Sequence, residues 1–139
     1  IYTSSYTLSL HDALPIFHNE NPKGSLRASD CVIRAIAKAT GKTWEETYHG
    51  LCLVGLSIKD TPSATPTYKQ YLKQEGYQME KQPRKSDNTK YTAEQFAEKY
   101  NKGTYIISLA NHLSMIQDGK IYDTWNCSHK CVGNYWEVR

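Results

Sequence analysis

Hydrophobic positions in the segment 28–41 recur at helical spacing and predict a helix that is buried on most of its sides. The apolar positions form two adjoining stripes, made of Val32, Ile33, Ala35, Ile36, Ala37, Ala39 and Thr40. Only Arg34 and Lys38 leave a polar edge, and Gly41 supplies a left-handed residue that ends the helix. The pattern therefore predicts a central helix, around which the rest of the domain is arranged.

The first turn of this helix contains a cysteine, Cys31, directly after Ser29 and Asp30, either of which can be the N-cap residue. A thiol in the first turn lies near the positive end of the helix dipole, which favours the thiolate, the form that attacks carbonyl groups. A free cysteine is also among the most buried residue types and often only fills the core. The segment alone therefore leaves Cys31 as either a nucleophile or a packing residue.

Three more helices are predicted before residue 104. Two of them begin with the spacing of a capping box, Thr43 with Glu46 and Thr92 with Gln95. The predicted helices cover residues 44–52, 67–75 and 93–102, with an irregular connection at 53–66 and a charged, solvated loop at 80–90.

From residue 104 onward the apolar pattern changes to the alternation and β-favouring composition of strands. The predicted strands cover residues 104–109, 112–117, 120–125 and 135–139. Asp118 and Gly119 separate the second strand from the third, and Asp-Gly is a strong signal for a two-residue hairpin turn. Helices followed by antiparallel strands predict an α+β fold, with an N-terminal central helix, further helices and a C-terminal antiparallel sheet.

The predicted hairpin brings several polar residues to one face of the sheet. With a turn at Asp118-Gly119, that face presents His112, Ser114, Ile116, Ile121, Asp123 and Trp125. His112 and Asp123 are then diagonal neighbours within reach of an imidazole–carboxylate hydrogen bond, and Trp125 lies beside His112. An acid that orients a histidine, which in turn activates a nucleophile, is the arrangement of a catalytic triad. The alternative is a lone polar histidine at a strand start and a surface acid.

A cysteine preceded by aspartate at the start of a central helix, then a histidine that opens a strand in NHLSMIQDGKIYD, then an acid on the next strand, is similar to the order in papain-like cysteine peptidases. The chain resembles in particular the small bacterial and phage proteins of this fold, including bacteriocin-leader peptidases, whose motif also contains Asp-Cys. The resemblance covers residues 29–138 and implies a papain-like fold. It also implies that Cys31 is the nucleophile, His112 the general base and Asp123 the orienting acid.

The sequence departs from this family at the oxyanion hole. The family has a glutamine six residues before the cysteine, and here that position is Ser25, with no glutamine between residues 1 and 34. Loss of one oxyanion donor typically costs about 10²–10³ in rate, so Asn19, Asn21 or Ser25 is the candidate to replace it. Asp30 and Trp125 are expected to flank the site.

These residues predict a thiol-dependent hydrolase that cleaves a peptide or isopeptide bond with a Cys-His-Asp triad and without a cofactor. The expected partner is therefore a peptide or protein substrate. The alternative is a non-catalytic binding protein on a papain-like fold, such as a phage-encoded inhibitor of a host defence component. The missing glutamine and the eleven tyrosines favour this alternative, whereas the order of Cys, His and Asp opposes it.

Length, charge and cysteine content indicate which broad class of protein the chain belongs to. The length of 139 residues predicts one domain, and the net charge of +3, from dispersed basic residues, does not indicate nucleic-acid binding. The sequence contains no run of eighteen apolar residues, so it predicts no membrane-spanning helix. Four cysteines without a secretory signal favour a reducing cytoplasm, of a bacterium or a phage-infected cell, over a disulfide framework.

Residues 1–17 differ in character from the rest of the chain. The string SSYTLSLHDALPI resembles a translated sequencing adapter, so we interpret residues 1–17 as a non-native leader and residues 18–139 as the single papain-like domain. Alternating apolar positions at Tyr2, Tyr6, Leu8 and Leu10 nevertheless have the pattern of a strand that can pair with the domain.

The segment CSHKC contains a second group of potential ligands, Cys127, His129 and Cys131. Its spacing is tighter than that of usual zinc-finger pairs, and a fourth ligand would have to come from Cys52 or elsewhere. The sequence therefore favours an exposed loop with two thiols over a metal site at this position.

Overall fold

A mixed β-sheet of six strands forms the centre of the computed structural model of the chain, which describes residues 14–139. The helices of this range are α1 (Cys31–Thr40), α2 (Trp44–Ile58), α3 (Thr65–Gln74) and α4 (Ala93–Lys99). Its strands are β1 (Ile16–Phe17), β2 (Met79–Glu80), β3 (Thr104–Leu109), β4 (His112–Gln117), β5 (Lys120–Asp123) and β6 (Tyr135–Val138). Their order across the sheet is β1-β5-β4-β3-β6-β2, and the α+β class is confirmed.

The edges of the sheet differ from the prediction. Within residues 14–139, all strand pairs are antiparallel except β1 with β5, which is parallel. The predicted C-terminal strands β3 to β6 therefore do form an antiparallel sheet, and β1 and β2 extend it at its two edges. The two added strands, β1 and β2, have two residues each, whereas alternation is recognisable over about four to eight residues. Because β1 belongs to the segment 1–17, the folded domain includes residues 16 and 17, and the strand-like alternation of residues 2–10 lies outside the described residues.

Helix α1 is the central element of the larger core, as predicted. Its buried residues are Val32, Ile33, Ala35, Ile36 and Ala37. The larger of them share a cluster with Ile106 of β3, Met115 of β4 and Trp136 of β6. Full burial of an aliphatic side chain contributes about 1.5–3 kcal/mol, so this apolar surface fixes α1 against the middle of the sheet.

A second core lies on the opposite face of the sheet, where α4 covers it. Tyr105 and Ile107 belong to this core, while Ile106 between them belongs to the α1 core, because side chains alternate along a strand. Ile116 of β4 also belongs to the α4 core. His112 precedes Ile116 by an even number of residues. The side chain of His112, at the start of β4, therefore lies on the same face of the sheet as that of Ile116.

The capping boxes at Thr43 and Thr92 are both present, but the predicted end of α2 is wrong. The helix continues through residues 53–58, which contain no proline, and ends at Lys59, whose φ of 63° is left-handed. Cys52 therefore lies inside α2 and not at its end. No helix of residues 14–139 is both long and apolar enough to cross a membrane.

Smaller boundary differences affect α3, α4 and β5. Helix α3 begins two residues early, at Thr65, because the proline that follows needs no hydrogen-bonded N–H in the first turn. Helix α4 ends at Lys99, before Gly103, because Tyr100 already has a non-helical conformation. Strand β5 ends at Asp123, two residues earlier than predicted.

The hairpin of β4 and β5 has the predicted turn and register. Asp118 and Gly119 have φ values of 49° and 78°, both left-handed as the tight turn of such a hairpin requires. Gln117 pairs directly with Lys120. This register brings the start of β4 beside the end of β5, where the candidate site lies.

Candidate active site

A histidine and an aspartate are in direct contact where β4 starts and β5 ends. His112 Nε2 lies 2.6 Å from Asp123 Oδ2, and the two side chains are only 6% and 4% exposed. The ring of Trp125 packs edge-on against the imidazole, with 4.8 Å between the ring centroids. The structure therefore brings together the three residues that the hairpin register predicted as neighbours.

The carboxylate of Asp123 is held on both of its oxygens. Oδ2 accepts a hydrogen bond from Ser114 Oγ at 2.6 Å and is contacted by the Cys127 thiol at 3.4 Å, while Oδ1 accepts one from the backbone N–H of Thr124 at 2.7 Å. Burial raises the pKa of Asp123, but the hydrogen bond and charge of His112, with the bonds from Ser114 and Thr124, lower it below its usual value. Asp123 therefore remains ionised and fixes the orientation of the imidazole.

His112 is strongly biased towards its protonated form. Burial lowers its pKa, but the hydrogen bonds to Asp123, Cys127 and Cys31, together with the charge of Asp123, raise the pKa to about 11. Because Nε2 faces Asp123, Nδ1 is the ring nitrogen that remains for exchange of a proton with Cys31.

Cys31 is the first residue of α1, is half-buried and lines a cavity. Burial raises the pKa of the thiol, but hydrogen bonds from His112 and the backbone of Leu113, and the charges of His112 and Arg34, lower it below its usual 9.0. The positive end of the α1 dipole acts in the same direction. The arrangement therefore favours a Cys31 thiolate paired with a His112 imidazolium.

Asp30 and Arg34 connect the start of α1 to Asp123. Asp30 is 3% exposed, forms an ion pair with Arg34, and accepts hydrogen bonds from Trp44 Nε1 and Asn21 Nδ2, both at 2.9 Å. Arg34 lies 3.8 Å from Asp123 Oδ1, and its side chain is 12% exposed, so it is not the solvated edge that the helix pattern predicted. Asp30 has the predicted N-cap position, but its carboxylate forms no capping hydrogen bond because these partners occupy it.

The three candidate oxyanion donors hold the shape of the loop before α1. Asn19 donates from Nδ2 to the carbonyl oxygen of Ser25 at 3.0 Å, and Asn21 donates to Asp30. Ser25 Oγ accepts a hydrogen bond from the backbone N–H of Arg27 at 3.2 Å. The residues that line the cavity do not include Asn19, Asn21 or Ser25. The backbone N–H groups of the first turn of α1, which the Asp30 side chain leaves uncapped, adjoin Cys31 instead.

The cavity beside Cys31 and His112 is open and has a volume of about 590 Å³. Leu26, Tyr68 and Trp125 supply apolar parts of its wall; Leu26 and Trp125 are exposed, by 68% and 38%, whereas Tyr68 is buried. Exposed apolar side chains grouped around one cleft are typical of a surface that binds another molecule. The cavity therefore offers space and apolar contacts for a chain segment whose carbonyl group lies at Cys31.

The other three cysteines have different surroundings. Cys127 is fully buried beside Asp123, Cys131 is exposed, and Cys52 is half-buried on α2. The predicted exposed loop with two thiols is therefore wrong for Cys127. Sequence reasoning missed the contact of Cys127 with Asp123, because the irregular segment after β5 carries no periodic signal that gives the direction of a side chain.

Comparison with known proteins gives no relative: no family model, no curated protein and no solved structure matches this chain. The chemistry of the site therefore follows from its own geometry. A buried acid, a histidine and a thiol at a helix start, beside an open cavity, are the components of nucleophilic attack on a carbonyl group.

Replacement of Asp30 by asparagine should destabilise the fold, because Arg34 would keep its charge in a largely buried position without the closer of its two carboxylate partners, leaving only Asp123 at 3.8 Å. Breaking a buried ion pair from one side typically costs about 3–5 kcal/mol. The matched control is Glu75→Gln, which breaks a more exposed ion pair with Lys42, a type worth about 0–1 kcal/mol. We expect Asp30→Asn to lower the free energy of unfolding, measured by urea denaturation, several times more than the control does. Equal losses in the two variants would contradict a structural role for the Asp30–Arg34 pair.

Proposed function

We propose that the protein is a thiol-dependent hydrolase of the papain-like type, which cleaves a peptide or isopeptide bond with Cys31, His112 and Asp123. The observation that carries the proposal is the 2.6 Å contact of His112 with Asp123, made where His112 also interacts with the Cys31 thiol. A thiol at the start of the central helix, a histidine that opens one strand and an acid on the next support the papain-like assignment.

The reaction begins with Cys31 as thiolate and His112 as imidazolium. The thiolate attacks the substrate carbonyl carbon, and the C=O electron pair moves to the oxygen. His112 donates its Nδ1 proton to the leaving amine as the C–N bond breaks, which leaves the acyl group on Cys31 as a thioester. His112 then takes a proton from water, the hydroxide attacks the thioester, and the thiolate leaves as the acid is released. Both residues return to their starting states.

Asp123 takes part without exchanging a proton. Its Oδ2 accepts the hydrogen bond from Nε2–H of His112, which keeps Nδ1 as the nitrogen that gives and takes the proton. The bond from Ser114 and the nearby charge of Arg34 keep the carboxylate ionised and in place while the imidazole charge changes. In this proposal Ser114 and Arg34 are positioning residues, because they act through Asp123.

The developing oxyanion is assigned to backbone donors. The Asp30 side chain has the N-cap position but binds Arg34 instead of the first-turn N–H groups, so these groups remain free to face a negative charge. The dipole of α1 favours a negative charge at the same place. This assignment compensates for the serine at position 25, where the papain-like family has a glutamine.

The substrate is a peptide or protein segment bound in the cavity. Its walls include Leu26, Tyr68 and Trp125, which favours an apolar side chain next to the bond that is cleaved. A reducing, cytoplasmic setting in a bacterium or a phage-infected cell belongs to the proposal, because Cys31 acts only as a free thiol and all four cysteines are free.

A second candidate function is that of a binding protein without turnover, such as a phage-encoded inhibitor of a host defence component. The side chains of Asn19, Asn21 and Ser25 favour it, because their hydrogen bonds hold the loop before α1 and none of them lines the cavity. On this alternative the same cavity holds a peptide segment, and Cys31 contributes contacts but no covalent chemistry.

Turnover of an activated ester separates the two candidates. With p-nitrophenyl acetate, we expect acetyl transfer to Cys31 followed by its hydrolysis, observed as continued release of p-nitrophenol and as a transient acetyl adduct in intact mass spectra. Cys31→Ala should abolish the release, and His112→Ala should reduce it by about 10²-fold or more, the usual range for a general base. An acetyl group that stays on Cys31 without turnover would favour the binding protein.

The pH dependence of alkylation tests the ion pair. The pKa of Cys31 is lowered and that of His112 is raised to about 11, so Cys31 loses its proton at a lower pH than an ordinary cysteine while His112 stays charged. Iodoacetamide should therefore label Cys31 faster at neutral pH, and with a weaker dependence on pH, in the wild type than in His112→Ala. In His112→Ala the rate should rise steeply with pH, by about tenfold per unit below the thiol pKa.

Peptide mapping supplies an internal reference in the same sample. The exposed thiol of Cys131 should be labelled at equal rates in the wild type and in His112→Ala, because it does not belong to the site. Identical pH profiles for Cys31 in the two proteins would show that His112 does not act on the thiol.

A further inference from the structure

The proposed hydrolysis makes no use of a third potential ligand next to its histidine and aspartate. Cys127 has no exposed surface, and its Sγ lies 3.4 Å from Asp123 Oδ2 and 3.9 Å from Ser114 Oγ. One ligand atom each of His112, Asp123 and Cys127 lie within 4.8 Å of one another. A nitrogen, an oxygen and a sulfur ligand atom therefore lie close enough together to surround one ion.

We propose that His112, Asp123 and Cys127 form a site for a divalent cation of zinc type, and that the cation switches the Cys31 chemistry off. Imidazole, carboxylate and thiolate are all ligands of zinc, and three protein ligands with a fourth open position are common in zinc sites. The mixed set selects against magnesium and calcium, which take oxygen ligands. Water or Ser114 Oγ is the candidate for the fourth position.

The separations of the three ligand atoms, which lie within 4.8 Å of one another, would have to change by roughly 1 Å to admit the ion. With zinc bonds of about 2.0–2.3 Å, tetrahedral ligand atoms lie roughly 3.3–3.6 Å apart. Asp123 Oδ2 and Cys127 Sγ already have this separation, at 3.4 Å. His112 Nε2 and Asp123 Oδ2, now 2.6 Å apart, would have to separate by less than about 1 Å to reach the same range.

The net charge of the buried cluster also stays the same when zinc replaces its protons. Imidazolium, carboxylate and thiol sum to zero, and so do zinc(II), neutral imidazole, carboxylate and thiolate. Binding therefore replaces two protons, one from His112 Nε2 and one from Cys127 Sγ, by one dication without adding net charge to the interior. Arg34, 3.8 Å from Asp123 Oδ1, stays on the other oxygen of the carboxylate. Of the three ligands, His112 lines the cavity, so an ion that enters from the cavity meets the imidazole first.

Zinc at this point changes what His112 can do. Its Nε2 binds the metal in place of Asp123, so the imidazole loses the orienting hydrogen bond and its positive charge beside the Cys31 thiol. Alkylation and acyl transfer at Cys31 then slow down. This inhibitory effect rests on the proposed function, whereas the binding of the metal does not.

Cobalt(II) is the probe of the site, because a bound thiolate gives a charge-transfer absorption that oxygen and nitrogen ligands do not give. The decisive protein carries Cys31→Ser, Cys52→Ser and Cys131→Ser, so that Cys127 is its remaining thiol. We expect one cobalt per chain with the thiolate band, and displacement of cobalt by zinc. The band should also persist in the single variant Cys31→Ser and disappear in Cys127→Ser.

The opposite pattern would overturn the site. If the variant that retains only Cys127 shows no thiolate band, the proposal is wrong. This test leaves Cys127 unchanged, so its outcome does not depend on whether Cys127→Ser folds. A band lost in Cys31→Ser but kept in Cys127→Ser would place the metal between Cys31 and His112 and would equally contradict the proposal.

Inhibition is tested separately from binding. Saturating zinc should slow iodoacetamide labelling of Cys31 at least tenfold in the wild type and in the control Cys131→Ser, but not in Cys127→Ser. Equal slowing in Cys127→Ser would contradict the inhibitory role. If the cobalt band persists but p-nitrophenyl acetate is not turned over, the metal site stands and the hydrolase proposal fails.

Discussion

The hydrogen bond between His112 and the buried carboxylate of Asp123 is the contact on which the site depends. It joins the first residue of β4 to the last residue of β5, so its 2.6 Å geometry requires the register that the turn at Asp118-Gly119 sets. A carboxylate this deeply buried is stable only when donors surround it, and those donors come from β4, α1 and the segment after β5. The hydrogen bond therefore couples the chemistry of the site to the fold of the hairpin.

Charges of alternating sign extend from this bond through the start of α1. Asp30, Arg34, Asp123 and His112 form a buried series in which each charge lies next to one of opposite sign, and the Cys31 thiolate completes it. Isolated charges would be costly in such surroundings, whereas paired ones with hydrogen bonds are tolerated. The series also explains why the Asp30 side chain does not cap α1, and it leaves the N–H groups of the helix start available beside the nucleophile.

Local patterns predicted much of this arrangement. Helical spacing identified α1, two capping boxes located the starts of α2 and α4, and Asp-Gly with strand alternation placed His112 beside Asp123. The features that escaped prediction have no periodic signal in the sequence. Strands of two residues have no period, the Asp30 side chain takes partners from other segments, and Cys127 lies in an irregular segment whose sequence does not give the direction of a side chain. Alternation put Ser114 on the correct face, but its bond to Asp123 needed the three-dimensional register.

The protonation state of His112 in solution tests the central claim most directly. The ¹⁵N chemical shifts of its imidazole, followed by NMR from pH 5 to 10, distinguish the imidazolium from the two neutral tautomers. The account predicts that His112 remains an imidazolium through pH 8, because burial is outweighed by its bonds to Asp123, Cys127 and Cys31, which raise the pKa to about 11. A neutral imidazole at pH 8, with a titration near the ordinary value of about 6.5, would contradict the account.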